Sequence, residues 1–354
     1  MSRLFAVVAF FFFFSTKVAA QNATAQSTAM RSPVIRVMFY NFENLFDPED
    51  DSLTNDEEFT PTGVRYYTKT RMYTKINNIA RVILALGEGN LPAIIGGCEI
   101  ENREVLEKLV SFSQLHNFHY EIIHYNSPDS RGIDVGMLYR PELYNPCYSC
   151  PLPVMYDSSG LRRARDILYV KGVLPGGDTL HCFVNHWPSR YGGVQSTIIR
   201  RQQAALVVKR FADSLQRVQP GVQIIVMGDL NDDPDDPSVR EALQAVSPEM
   251  VEEMSDGSFV SLMWECLKPG AEGTLKYQNH WNVFDQMLVP ACMVKGTSPW
   301  QVRNSKAEVF RGDFLFVPDE TWGGRKLFRT YVGFRYTGGY SDHLPIYLDL
   351  IRGK

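Results

Sequence analysis

The sequence predicts one α/β domain of the α+β type, arranged as a four-layer α/β/β/α sandwich of two packed mixed sheets with outer helices. Three observations support this fold class. Strand-like runs outnumber helical ones, adjacent strands without an intervening helix recur in the middle of the chain, and no linker divides the sequence. A doubly wound parallel sheet would need a long crossover between successive strands. Mixed sheets packed face to face therefore fit the order of elements better.

The individual elements follow from hydrophobic periodicity. Apolar residues recur at helical spacing in three segments and form short β-rich runs elsewhere. The predicted helices are residues 71–86, 101–112 and 197–215. The predicted strands are residues 34–40, 91–97, 120–124, 135–139, 167–173, 180–184, 222–227, 283–289 and 346–350. Of these, residues 222–227 form the most strongly apolar run and are predicted to be a buried strand.

The N-terminus has the features of an export signal. Arg3 precedes an unbroken apolar run at residues 4–14, and the small residues at 18–20 form an acceptable cleavage pattern. The run is shorter than the roughly 20 residues that span a bilayer, although a retained membrane anchor is the alternative. We predict a signal peptide at 1–20, a flexible lead-in at 21–33 and one folded domain at 34–354. The mature protein is then expected to be periplasmic or extracellular, without stable membrane insertion.

Composition restricts the class of protein further. The 354 residues include 44% hydrophobic and 21% charged residues, which is typical of a globular protein. The net charge is −4, whereas a protein that neutralises many nucleic-acid phosphates more often has a basic excess. Any polyanionic substrate must therefore meet a local cationic site or a bound metal.

The six cysteines are too sparse to form a disulfide framework for a chain of this length. Cys147 and Cys150 are close enough in sequence to be bridged in an oxidising compartment. Cys98 and Cys182 lie in apolar runs and are predicted to be buried small side chains.

The sharpest functional motif is Gly228-Asp229-Leu230-Asn231, which ends the predicted buried strand. Because side chains alternate along a strand, Asp229 and Asn231 are predicted to lie on the same side and to converge on one point. A carboxylate beside a carboxamide can hold a metal ion and orient a water molecule.

Four further blocks place polar side chains at strand ends, where catalytic residues collect on layered α/β folds. They are Tyr40-Asn41-Phe42-Glu43, Cys98-Glu99-Ile100-Glu101, Asn185-His186-Trp187 and Ser341-Asp342-His343-Leu344-Pro345. An Asp beside a His can supply a charged imidazole for an anionic phosphate.

The order of these five blocks resembles the endonuclease/exonuclease/phosphatase superfamily, which includes deoxyribonuclease I, abasic-site endonucleases, sphingomyelinases and inositol polyphosphate 5-phosphatases. The resemblance runs from Asn41 to Pro345, and Gly-Asp-x-Asn followed by Ser-Asp-His-x-Pro is a specific combination. It implies a hydrolase of phosphate esters that depends on Mg²⁺ or Mn²⁺. Hard oxygen ligands favour these ions over zinc.

The resemblance also implies a role for each matching residue. Glu99 is expected to be the main metal ligand, with Asn41, Glu43 and Asp342 beside the ion. Asp229 is expected to position the attacking water and Asn231 the phosphate, His186 to assist the leaving oxygen, and His343 to bind phosphate. Asp285 matches an aspartate before a late strand, although Gln286 replaces the usual His or Arg. Arg165 and Asp134 match less closely, at phosphate-facing positions.

The leading functional hypothesis is an exported phosphodiesterase of nuclease type, which acts on a phosphate ester and has nucleic acid as a candidate substrate. Two alternatives remain open at the sequence level. One is a hydrolase of phospholipid head groups or of sugar or inositol phosphates on the same fold; a lipid enzyme would favour an exposed apolar hairpin, and none is evident in the sequence. The other is a catalytically silent binding module. No protein partner can be inferred.

Overall fold

The computed structural model describes residues 33–156 and 164–353, so the predicted signal peptide and nearly all of the lead-in lie outside the described residues. In the described part, the helices are α1 (Lys69–Leu86), α2 (Arg103–Phe112), α3 (Val194–Val218) and α4 (Cys292–Lys295). The strands are β1 (Ile35–Leu45), β2 (Ile94–Ile100), β3 (Glu121–His124), β4 (Asp134–Tyr139), β5 (Asn145–Leu152), β6 (Ile167–Val173), β7 (Thr179–His186), β8 (Gln223–Asp229), β9 (Phe259–Ser261), β10 (Leu275–Tyr277), β11 (His280–Asn282), β12 (Asp285–Pro290), β13 (Trp300–Val302), β14 (Glu308–Val309), β15 (Phe316–Pro318), β16 (Arg325–Leu327), β17 (Tyr331–Val332), β18 (Arg335–Tyr336) and β19 (Ile346–Arg352).

The two predicted mixed sheets are both present. The first has the order β13-β19-β1-β2-β4-β3, with β14 also paired to β19, and the second has the order β5-β6-β7-β8-β12-β9. Each contains one parallel pair at its centre, β1 with β2 in the first sheet and β7 with β8 in the second. The other pairings are antiparallel, and β10–β11, β15–β16 and β17–β18 form separate two-stranded hairpins.

Alternation along β8 shows how the layers are packed. Ile225 and Met227 join the core that the two sheets share, whereas Ile224 and Val226 point to the opposite face and pack in a second core with residues of α3. At Gly96 in β2 an added β-carbon would lie 3.0 Å from the sulfur of Met227. The absence of a side chain there therefore lets the two sheets approach each other closely.

The outer helices begin at capped residues. The Thr68 side chain accepts a hydrogen bond from the Arg71 amide at the start of α1, and the Asn102 side chain accepts one from the Val105 amide at the start of α2. α1 packs on β1 of the first sheet, and its Ile76 belongs to the same cluster of buried apolar residues as that sheet. With α3 on the outer face of the second sheet, the predicted four-layer arrangement is confirmed. No described helix is both long and apolar enough to cross a bilayer.

The structure departs from the sequence prediction mainly at edges and hairpins. β5 was missed because Pro146 and Pro151 interrupt its pattern; it pairs only with β6, and an edge strand tolerates proline. Cys98 and Cys182 are buried as predicted, and the possible bridge between Cys147 and Cys150 is absent because all six cysteines are free.

Candidate active site

The predicted site residues meet where the central strands of both sheets end. The carboxyl ends of parallel strands lie at one edge, so Asn41 in β1 and Glu99 in β2 come together, as do His186 in β7 and Asp229 in β8. The antiparallel strand β12 begins at this edge, which places Asp285 opposite Asp229. His343 joins them from the segment just before β19.

Asn41 connects the two sheets at this point. Its amide nitrogen donates to Glu99 Oε1 at 3.3 Å and to Asp229 Oδ2 at 3.1 Å. Its Oδ1 accepts the Glu43 amide at 2.8 Å, which fixes the orientation of the carboxamide. Two carboxylates from different sheets are thus held beside a single amide group.

The backbone of the site is strained at four residues that are not glycine. Glu43, Asn44, Glu99 and Asn231 have φ values of 50°, 57°, 58° and 50°, a conformation that costs about 1–3 kcal/mol for each such residue. Register shifts in β1 and β2 accompany three of them. The Asn44 amide donates to Glu99 Oε2 at 2.9 Å, so the irregular backbone holds this carboxylate in place.

The left-handed conformation of Asn231 changes the explanation of how this residue meets Asp229, and its expected contact with phosphate stays a prediction. β8 ends at Asp229, so the alternation that was expected to bring the two side chains together does not continue to Asn231. Instead the Asn231 amide donates to Asp229 Oδ1 at 2.9 Å, and its side-chain nitrogen donates to the Trp187 carbonyl at 3.0 Å. Asn231 therefore orients Asp229 through its backbone.

Asp229 lies in an electrostatically unfavourable position for a carboxylate. Burial raises its pKa to about 6, and the charges of Asp285 and Glu99 act in the same direction. The charge of His343 and the hydrogen bond from the Asn231 amide lower the pKa in part. A carboxylate with a pKa near neutrality is suited to accept a proton from water.

His343 is held in its charged form. Burial alone would lower its pKa, but Asp285 and Asp229 together raise it well above the usual value. Its Nδ1 lies 2.7 Å from Asp285 Oδ2, and its Nε2 lies 3.7 Å from Asp229 Oδ2. The geometry thus agrees with the cationic role that the sequence predicted for this residue.

His186 differs from His343 in its charge state. Burial lowers its pKa well below the usual value, and the nearby Arg165 acts in the same direction. Its Nε2 lies 3.7 Å from Asp229 Oδ2 and 3.9 Å from Glu99 Oε1. Its Nδ1 is buried without a hydrogen-bond partner among the described residues. His186 is therefore a neutral imidazole beside the carboxylates.

Arg165 positions the segment that carries His186. Its guanidinium donates to the carbonyls of His186 and Trp187 at 3.1 and 2.9 Å, and to Asp129 Oδ2 at 2.8 Å. The predicted contact of Arg165 with phosphate stays a prediction, as does that of Asp134. In the structure Asp134 lies at the start of β4, where its carboxylate accepts hydrogen bonds from the amide and hydroxyl of Ser127.

Glu43 and Asp342 face a second group of charges. Arg329 donates to Glu43 Oε1 at 2.9 Å and to Asp342 Oδ2 at 2.7 Å. Burial opposes ionisation of Asp342, but Arg329, His343 and Lys75 hold its pKa below the usual value. The Thr330 amide donates to Glu43 Oε2 at 2.7 Å. Both acids thus accept hydrogen bonds from the cationic Arg329, whereas Glu99 accepts from the uncharged Asn41 side chain and the Asn44 amide.

Sequence reasoning missed the two cations of this group. Lys75 had a detectable signal, because it lies among the apolar positions of α1, where an unpaired lysine is rarely buried. Arg329 had none, since it follows no strand of the predicted sheets and its partner Glu43 is 286 residues away.

We expect Lys75→Met to destabilise the protein by about 3 kcal/mol. Lys75 is 1% exposed, and its ammonium donates to Thr330 and Tyr340 and lies 3.7 Å from Glu43. Removing one partner of a buried ion pair typically lowers the free energy of unfolding by about 3–5 kcal/mol. Arg329 still compensates the charge of Glu43 in the variant, so the expected loss is at the lower end of this range. Urea unfolding measures the change in free energy.

The matched control for this prediction is Lys69→Met at the start of the same helix. Lys69 is 73% exposed, and its partner among the described residues is the exposed Glu49, so a change within about 0.5 kcal/mol is expected. Equal losses for the two variants would contradict the assignment of Lys75 as a buried partner of Glu43.

The residues around Glu99 fit a hard divalent cation. Two carboxylates are crowded beside one amide, and their repulsion contributes to the raised pKa of Asp229; a bound cation would offset that charge. Glu99 is 15% exposed, so it can be reached from solvent. Asn41 would have to turn its amide, breaking the bond to the Glu43 amide, before Oδ1 became a ligand.

The four-layer fold, with acids and histidines gathered at one edge of both sheets, and the family match described next define the class of protein as a hydrolase of phosphate esters. The sequence profile of the Endonuclease/Exonuclease/phosphatase family matches residues 36–352, so the chain belongs to this family. A search of curated proteins found no significant match.

Solved structures show the same fold at low sequence identity. A family member from Bacteroides thetaiotaomicron has a TM-score of 0.54 at 14% identity, covering 92% of this chain and 100% of its own. A humanized TDP2 from D. rerio has a TM-score of 0.53 at 14% identity, over 90% and 98% of the two chains. A mannosyl-6-phosphatase from B. thetaiotaomicron has a TM-score of 0.53 at 15% identity, over 90% and 99%. The match to the family profile confirms the membership that the sequence suggested, and the solved structures confirm the fold.

Proposed function

We propose that the protein is an exported phosphodiesterase of nuclease type that depends on Mg²⁺ or Mn²⁺. The observation that carries the proposal is the convergence of Glu99, Asp229, His186 and His343 around Asn41 at the edge of both sheets. The two histidines each lie 3.7 Å from the same oxygen of Asp229. One charged imidazole, one neutral imidazole and a carboxylate of raised pKa are the groups that hydrolysis of an anionic ester needs.

Each group has a distinct task in this proposal. Asp229 accepts the proton of the attacking water, and the charged His343 binds the anionic phosphate. The neutral His186 donates an N–H hydrogen bond to the leaving oxygen. A divalent cation held at Glu99 would act as a Lewis acid that stabilises charge on the phosphate oxygens.

A cleft beside Asp342 supports a substrate with more than one anionic group. The volume of the cleft is about 440 Å³. Its lining includes four cationic and two acidic side chains, whereas the whole chain carries a net charge of −4. These cations are Lys276, Lys326, Arg329 and Arg335. Lys276 and Arg329 already donate hydrogen bonds to Asp319 and Asp342. Lys326 and Arg335 are therefore the cations that would face neighbouring phosphates of a nucleic-acid strand. This feature favours a diester polymer over a small monoester.

A lipid substrate is the second candidate, and one observation favours it. Three hairpins expose Tyr277, Trp322 and Phe334 at or beside their turns, and these side chains are 67%, 51% and 63% exposed. No exposed apolar hairpin was evident in the sequence, because these strands are only two or three residues long. Exposed aromatic side chains near a site are typical of surfaces that contact a membrane or a macromolecule.

A substrate panel tests these alternatives directly. Plasmid DNA, RNA, bis-p-nitrophenyl phosphate, sphingomyelin vesicles and inositol phosphates are each incubated with Mg²⁺ and with EDTA. The proposal expects hydrolysis of nucleic acid and of the nitrophenyl diester with Mg²⁺ only. Preferential hydrolysis of sphingomyelin would favour the second candidate, and no hydrolysis of any ester would favour a silent binding module. An Asp229→Asn variant purified in the same way controls for contaminating nucleases.

Export is part of the proposal and has its own test. We expect the mature protein to begin near Gln21 and to be recovered outside the cytoplasm, because residues 1–20 have the pattern of a signal peptide. N-terminal sequencing of the protein from a fractionated cell measures this. A mature chain that still carries residues 11–14 would indicate a retained anchor.

A further inference from the structure

Cys98 places a thiol inside the candidate active site. It precedes Glu99 in β2, pairs with Asn41 across the sheet, and is completely buried. Its sulfur, a ring nitrogen of His186 and a carboxylate oxygen of Asp229 all lie within 4.8 Å of one another. The hydrolytic roles proposed above give the thiol no task.

These three groups match the ligand types that zinc prefers. Thiolate, imidazole and carboxylate bind Zn²⁺ at about 2.0–2.3 Å in a tetrahedral arrangement, so neighbouring ligand atoms are roughly 3.5 Å apart. The separation between His186 Nε2 and Asp229 Oδ2 is 3.7 Å. Small side-chain rotations would therefore be enough to bring the three atoms around one ion. Mg²⁺, by contrast, has little affinity for sulfur.

The hydrogen bonding of His186 leaves its ring available as a ligand. Its ring is 4% exposed, and Nδ1 is buried without a hydrogen-bond partner among the described residues. Buried polar atoms in proteins are normally paired, so the unpaired Nδ1 means that no hydrogen bond from the described residues to this atom fixes the ring. The ring can therefore present a nitrogen to a metal ion without breaking a hydrogen bond at Nδ1.

We propose that Cys98, His186 and Asp229 form a binding site for a thiophilic divalent cation of the Zn²⁺ class, with a ligand set different from the hard-cation site at Glu99. Binding replaces the thiol proton, which is released to solvent, and leaves a fourth position for water. A Zn²⁺ ion bound there occupies Asp229 and His186, so it inhibits hydrolysis. This consequence rests on the proposed function, whereas the binding itself does not.

Cadmium reports directly on the thiol, because a cysteine thiolate bound to Cd²⁺ has a charge-transfer absorption in the ultraviolet. The titration uses the full chain with the three cysteines that are not buried, Cys147, Cys150 and Cys266, replaced by serine. The expected result is one thiolate band that saturates at one equivalent of Cd²⁺ and is lost when Zn²⁺ is added in competition. No thiolate band at saturating Cd²⁺ would overturn the proposal.

Matched variants assign the band to Cys98. Cys98→Ala should abolish it and lower Zn²⁺ affinity by at least about 100-fold, since loss of an outer-shell partner alone costs about 10–100-fold. Cys182→Ala removes another fully buried thiol and should leave the band unchanged. An equal band in Cys98→Ala would contradict the proposal. Circular dichroism checks that each variant is folded. If Cys98→Ala is unfolded, His186→Ala takes its place and should weaken Cd²⁺ binding at least about 10-fold. Unchanged Cd²⁺ binding in His186→Ala would then overturn the proposal.

Two further experiments distinguish failure of the proposed metal site from failure of the proposed function. Glu99→Gln should weaken Mg²⁺ binding and leave the cadmium band intact, and loss of both would show a single shared site and overturn the distinct ligand set. In the hydrolysis assay, Zn²⁺ should inhibit the Mg²⁺-activated protein, and Cys98→Ala should relieve this inhibition. A cadmium band without any hydrolytic activity would refute the proposed function and leave the metal site standing.

Discussion

Replacing Glu99 with glutamine is expected to lower hydrolysis by at least about 100-fold and to weaken Mg²⁺ binding by a similar factor. Mutation of groups that merely support a metal ligand costs about 10–100-fold, so loss of a charged ligand should cost more. Glutamine keeps the size of the side chain and still offers an oxygen to the Asn44 amide, which Glu99 Oε2 accepts at 2.9 Å. The fold should therefore remain intact while the negative charge is lost.

Titration calorimetry with Mg²⁺ and far-ultraviolet circular dichroism measure the two parts of this prediction. Glu107→Gln is the matched control, because Glu107 lies on α2 with 53% of its side chain exposed and pairs only with Arg103. It should bind Mg²⁺ as the wild type does. If Mg²⁺ affinity were unchanged in Glu99→Gln, Glu99 would not be the metal ligand.

His186 and His343 are expected to respond differently to the quality of the leaving group. A hydrogen-bond donor to a developing oxyanion is worth about 10²–10³-fold, and its effect is largest when the leaving group is poor. His186→Ala should thus lower hydrolysis of a natural diester by about that factor and affect bis-p-nitrophenyl phosphate much less. His343→Ala should harm both substrates alike, because the phosphate charge that it offsets is present in each.

The structure gives this comparison a physical basis. Asp285 accepts from His343 at 2.7 Å and stabilises the imidazolium, whereas burial keeps His186 neutral. The measurement is kcat/KM on both substrates for each variant, with His116→Ala as an exposed control on the surface. If His186→Ala lowered kcat/KM equally on the two substrates, the leaving-group role of His186 would be contradicted, and a role in binding phosphate would be indicated.

The sequence predicted the sheets and the catalytic edge because both depend on local patterns. Buried strands such as β8 are continuous apolar runs, and Asp229 follows such a run directly. The position of Glu99, His186 and His343 next to strands could therefore be predicted from the sequence. β15–β18 could not be predicted, since strands of two or three residues carry too little periodicity to be recognised.

The pairing of side chains was the part that sequence could not supply. The contact between Asn41 and Asp229 joins residues 188 positions apart, and that between Glu43 and Arg329 joins residues 286 apart. Glu43 matched a metal-ligand position by motif, yet its oxygens face Arg329 and Thr330. Tertiary contacts of this kind decide which acid is open to a metal, and no local pattern encodes them.

The most direct test of the account is hydrolysis of bis-p-nitrophenyl phosphate by the wild type and by Asp229→Asn, each with Mg²⁺ and with EDTA. Asn has the size of Asp but cannot accept a proton, and the Asn231 amide keeps an oxygen to bind. The account predicts that only the wild type with Mg²⁺ is active and that Asp229→Asn loses at least about 100-fold while remaining folded. Full activity in EDTA, or a wild-type rate for Asp229→Asn, would contradict it.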